Sequence, residues 1–161
     1  MNSSKLAKLA NLLLSHLQDE QAVQMRLLIL LRAQEAAALK GDTEKLTSTT
    51  GEVEQELNGE SIRQQRRSAL LTAFEGELGV PERMLTVGSL IERLEQKGVH
   101  TAGLVTVRAE LKAALLDVRK LSQKLKVIAR GHGEVLDDVL RALAGNGERA
   151  LGIGILVNAE V

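Results

Sequence analysis

A row of side chains spaced alternately by fours and threes runs through the first 39 residues. It comprises Leu6, Ala10, Leu13 and Leu17, then Glu20 and Gln24, then Leu27, Leu31, Gln34 and Ala38. That spacing returns every member to one face of a 3.6-residue helix, and it predicts a helix from about Ser4 to Leu39. Gly41 and Asp42 then supply a C-terminal cap and an N-cap oxygen in succession, so the turn into the next helix is tight. The residues available to build a core point the same way. The hydrophobic share is 44%, and it contains a single aromatic residue, Phe74, and the chain a single proline, Pro81. Leu and Ala are strong helix formers, whereas sheets recruit aromatic and β-branched residues.

A second row, Leu46, Thr50, Val53, Leu57, Glu60, Gln64, Arg67, Leu71, Phe74 and Leu78, predicts a helix from about Thr43 to Leu78, continuous through Gly51 and Gly59 despite their cost in a helix interior. A short turn at Gly41 makes the two helices antiparallel neighbours. Residues facing each other should then have numbers summing to 84. Leu31 falls opposite Val53, Leu13 opposite Leu71, and Ala10 opposite Phe74. The polar members coincide too: Gln24 falls opposite Glu60, Glu20 opposite Gln64, and Leu17 opposite Arg67. This polar layer reads as a device that fixes register, or alternatively as a binding site. Of the nearby arginines Arg63, Arg66 and Arg67, only Arg67 is expected to turn inward.

Gly79 and Pro81 end the hairpin. A short third helix follows, with Thr86 as N-cap, Val87, Leu90, Ile91 and Leu94 as its apolar face, and Gly98 as its stop. The fourth opens after Thr101 and extends toward Ala144, with Gly131-His132-Gly133 as an internal flexible point. The last stretch, Leu151 to Val161, is apolar and punctuated by glycine, and alone has strand character. The expectation is one all-α domain over residues 1–161. It is an antiparallel helical bundle with a long N-terminal hairpin, a short third helix, a long C-terminal helix, and a flexible carboxy-terminal part from about residue 131.

Several function classes lose support. Twenty-one basic residues balance 21 acidic ones, so no large field favours nucleic acid or anionic lipid. Trp and Tyr, the stacking platforms of single-strand binders, are absent. With no cysteine there are no disulfides, zinc–thiolate sites or thiol chemistry. His16, His100 and His132 lack the i, i+3 or i, i+4 partners of helical metal sites. Gly152-x-Gly154 lacks the third glycine, the strand and the helix of a phosphate loop. Residues 1–14 carry Lys5, Lys8 and Asn11 and make no signal peptide, and Leu27 to Leu31 falls far short of the roughly 20 residues of a membrane span. A soluble, cytoplasmic protein that is not an enzyme and uses no cofactor is expected.

The fourth helix carries more apolar surface than one seam buries. Beside the line of Leu104, Val107, Leu111, Ala114, Val118, Leu121, Leu125 and Ile128 runs a second, with Leu115, Leu116, Ala129, Leu136, Leu140 and Leu143. Unbroken, it would reach about 65 Å against about 54 Å for each hairpin helix. The excess surface suits packing on the third helix, a homodimer, or a groove for an amphipathic helix of another protein.

Glu35-Ala-Ala-Ala-Leu39, Gly41-Asp42, Leu46, Leu57 and Arg67-Ser-Ala-Leu70-Leu71, in that order, resemble the FlgN-like family of flagellar export chaperones over most of the chain. The resemblance implies a cytosolic chaperone that binds the carboxy-terminal amphipathic segments of hook-associated proteins, keeps them unassembled and presents them to the flagellar export apparatus. On this reading the segment from Leu121 to Leu143 carries the client-binding surface, through Leu121, Leu125, Ile128, Val135, Leu136, Val139, Leu140 and Leu143. A structural or adaptor bundle acting through dimerisation is the alternative, and a small enzyme or metal carrier built in a bundle is a third class left open.

Overall fold

A computed structural model of the chain describes residues 3–132, and within them every regular element is helical. Helix α1 spans Ser3–Lys40. Gly41 leaves it at a left-handed φ of 69°, a conformation open to glycine at little cost, and its amide donates to the Ala38 carbonyl. Asp42 then accepts a hydrogen bond from the Lys45 amide at 2.9 Å and opens the next helix.

The predicted second helix is divided. Helix α2 spans Thr43–Asn58 and α3 spans Glu60–Leu78, with Gly59 between them. Gly59 keeps right-handed angles (φ −77°, ψ −6°), so the chain interrupts its ladder without folding back, and both helices pack along α1. The expected register holds along the pair. Gln34 bonds to Thr50, whose numbers sum to 84, and the pairs Arg26–Glu56, Asp19–Arg66 and Lys5–Glu77 lie within two of that value.

Gly79 caps α3 at φ 65°, its amide donating to Glu75. Pro81 leads into a 3-10 turn, Glu82–Met84. Thr86 and Ser89 then form a reciprocal capping box, which satisfies two of the amides that a helix start otherwise leaves unpaired. Helix α4, Val87–Gln96, buries Val87, Leu90, Ile91 and Leu94 as expected. After Gly98, at φ 74°, α5 runs over Ala102–His132. It includes Gly131 and His132. The stretch from Gly133 to Ala144, and the strand character assigned to residues 151–161, lie outside the described residues.

Helix α5 lies parallel to α1 at a constant offset of 89. Gly103 sits against Leu14, Gln21 donates to Glu110 at 2.8 Å, and Lys124 pairs with Glu35. The three long helical columns enclose two apolar cores. The first joins Leu6 to Leu17 of α1, Leu71 and Phe74 of α3, the inner face of α4, and Leu104 to Leu115 of α5. The second joins Val23 to Ala38, Leu46 and Val53 of α2, and Val118, Leu125 and Ala129. Among the described residues, α4 contributes to the first core only.

Candidate functional site: a buried charged layer and the outer face of α5

Between the two cores lies a polar layer. It joins His16, Glu20 and Gln24 of α1 to Glu60, Arg63 and Arg67 of α3. Arg67 Nη2 donates to Glu20 Oε1 at 3.1 Å and stands 3.8 Å from Glu60 Oε1. Arg63 Nη2 donates to Glu60 Oε2 at 2.9 Å, while its Nε lies 3.7 Å from Glu20 Oε2. Two carboxylates thus face two guanidiniums, and the layer is formally balanced.

One member of the layer is not the residue that the sequence pattern predicts. Arg63 was expected on the solvated face and Gln64 in the layer, but Gln64 is exposed while the Arg63 side chain retains only 12% of its accessibility. Glu60, Arg67, Leu71 and Phe74 keep the predicted row beyond Gly59, and Arg63 and Gln64 fall on either side of it. A Cβ at Gly59 would meet Arg63 Nη1 at 2.7 Å, so the absence of a side chain is what lets the guanidinium fold down over the joint and reach the Glu56 carbonyl at 3.5 Å. The i, i+4 relation of a glycine to an inward arginine was the available signal.

Desolvation dominates the layer's electrostatics. It lowers the His16 pKa to about 4, helped by Arg67 and only partly opposed by Asp19, so His16 is neutral near pH 7 and its 3.7 Å approach to Glu20 is not an ion pair. Burial also raises the Glu20 carboxyl, with Glu60 adding to the effect and Arg67 and Arg63 opposing it. His16 Nε2, Glu20 Oε2, Gln24 Oε1 and Arg63 Nε make no hydrogen bond within the protein. His16, Glu20 and Arg67 line a small cavity of about 20 Å³ among Leu13, Leu17, Leu71 and Leu111, room for a single water. No group of three or more His, Cys, Asp or Glu is placed to hold a metal ion among the described residues.

The surface tells a different story. Of the described members of the two apolar lines expected on α5, only Leu116 faces out, and the exposed row of the helix is built mostly of residues that neither line contains. Leu104, Val107, Leu111, Ala114, Leu115, Val118, Leu125 and Ala129 are buried, and Leu121 and Ile128 are half-buried against the second core. On the opposite side of the helix Ala102, Val105, Ala109, Ala113, Leu116 and Val127 are exposed, at 48% for Val105, 42% for Leu116 and 69% for Val127. The 89-residue offset sets Met25 and Ile29 of α1, also exposed, level with Ala114 and Val118. Of the residues expected to bind a client, Leu125 is therefore spent in the core at 2% exposure. Leu121 and Ile128 are partly available. Val135, Leu136, Val139, Leu140 and Leu143 lie outside the described residues. No helix is long and apolar enough to cross a membrane among the described residues. No family model matches the chain, and neither a curated protein nor a solved structure does.

Proposed function

We propose that this chain is an export chaperone of the FlgN-like kind. It would bind the carboxy-terminal amphipathic segments of hook-associated proteins in the cytoplasm, hold them unassembled and deliver them to the flagellar export apparatus, without catalysis or cofactor. The observation that carries the reading is the outward row of α5, in which Val105, Leu116 and Val127 are aliphatic side chains left to solvent on the side away from the core. Covering such a row with an amphipathic helix contributes about 25 cal/mol per Å² of apolar area removed from water. An aliphatic row also accepts varied clients, since it imposes no single polar pattern. The half-buried Leu121 and Ile128 extend the same helix toward the segment singled out by the sequence.

The test is binding of a carboxy-terminal peptide from a hook-associated protein to the full chain and to a Leu116→Ser/Val127→Ser variant. Binding by the first and not the second, with unchanged circular dichroism, supports the reading. A dimer mass independent of concentration, with no peptide binding, would support an adaptor bundle that pairs through the same row.

A further inference from the structure

Helix α5 is not electrically neutral, although the chain is. Over Ala102–His132 there are seven Lys and Arg against two acidic residues, Glu110 and Asp117. At about 100° per residue, Lys112, Arg119 and Lys126 border the outward row on one side and Lys120 falls within it, while Glu110 and Asp117 lie toward its other side; no described acidic residue bridges any of these four cations, whereas Lys124 is engaged by Glu35 and Glu110 by Gln21. Three of the row's members, Ala102, Ala109 and Ala113, are small, and the steps from Ala102 through Val105, Ala109 and Ala113 to Leu116 are threes and fours. That spacing matches the seam of a packed helix, and small side chains let a second backbone approach closely. A lipid surface would want interfacial aromatics and a nucleic acid would want stacking residues, and the chain has neither Trp nor Tyr.

We infer that the outer face of α5 recognises an amphipathic helix whose apolar seam is bordered by Asp and Glu. The inference rests on the helix-binding role proposed above and adds the charge of the partner. Lys112 and Lys126 are half-buried, which suits long side chains whose methylene stems are covered while the ammonium group stays in water. An acidic-flanked helix would meet these charges on docking, whereas a basic-flanked helix with the same seam would meet like charge.

The experiment uses the full chain and two designed peptides of about three heptads with one shared Leu/Ala seam, carrying Glu at the flanking positions in one and Lys in the other. Affinity is read by fluorescence anisotropy at low and high salt. The Glu-flanked peptide is expected to bind at least about tenfold more tightly, with the difference shrinking as salt screens the flanks. A Lys112→Glu/Arg119→Glu/Lys120→Glu variant should reverse the preference. Equal binding of both peptides, abolished by Leu116→Ser, would overturn the charge preference and leave the helix-binding role standing. Binding of neither peptide would overturn both. Tighter binding to phosphatidylserine vesicles than to either peptide would also overturn the inference, in favour of a membrane surface.

Discussion

Gln34 donates its side-chain amide to the hydroxyl of Thr50 at 3.0 Å, and both residues are buried. The Thr50 hydroxyl meanwhile donates to the Leu46 carbonyl at 2.8 Å. The pair is therefore asymmetric. Thr50→Val leaves the buried Gln34 amide without its partner and is expected to cost about 1–3 kcal/mol, whereas Gln34→Leu removes the needy group and should be near neutral or stabilising. Urea unfolding of the two single variants checks this. Equal losses would show that the bond itself, and not the orphaned amide, sets the cost.

The charged layer should behave in the same direction on a larger scale. Arg67→Leu strips Glu20 of its one hydrogen-bonding guanidinium and is expected to destabilise by about 3–5 kcal/mol. Replacing Glu20, Glu60, Arg63 and Arg67 together by Leu should hold or raise the melting temperature, because buried ion clusters often cost more in desolvation than they return. A variant melting far below the wild type would show that the layer is a net source of stability.

His16 sets a pH window. Its pKa falls from 6.5 to about 4 on folding, so the unfolded chain binds more protons between those values and stability falls as pH drops from 6.5 toward 4. The full effect is on the order of 3 kcal/mol. Glu20 opposes it at the acid end, since a carboxyl raised in the folded state gains stability on protonation. His16→Leu should flatten the urea midpoint between pH 6.5 and 5. An unchanged slope would mean that other groups carry it.

Two glycines separate packing from propensity. A Cβ at Gly103 would lie 3.1 Å from Leu14 Cδ2, while one at Gly51 would meet nothing within 4 Å. Gly103→Leu is expected to cost about 1–3 kcal/mol by forcing α5 from α1, and Gly51→Ala to stabilise by about 0.5–1 kcal/mol. Thermal melts of both variants report the two signs. A neutral Gly103→Leu would contradict the close parallel seam at Leu14.

The hairpin was legible because its two rows change character at the same depth: aliphatic faces aliphatic, and Glu20 falls opposite the Gln64–Arg67 region. The identity of α4, its Thr86 cap and its buried face were legible from local signals. The interruption at Gly59 was not, since a glycine that keeps right-handed angles has the same sequence appearance as one inside a helix, and neither was the choice of Arg63 over Gln64, which lie on either side of the Glu60–Arg67 row. The excess apolar content of α5 was also plain. Its division was hidden, because adjacent residues differ by about 100° around a helix and only tertiary packing decides that Leu115 goes in while Leu116 stays out. The parallel course of α5 beside α1 likewise depends on how α4 turns the chain, which no local pattern encodes.

The covering of only one core by α4 has a consequence for how the molecule breathes. The half holding Phe74 and Leu90, both at 0% exposure, is wrapped on every side by its own chain, and the charged layer interrupts apolar continuity with the other half. Transient openings that release α2 from Leu31 and Leu27 therefore need not disturb Phe74. The backbone amides of α2 should trade their protons for deuterons sooner than those of α4 and its neighbours, making the protein a firm anchor at one end and a yielding one at the other.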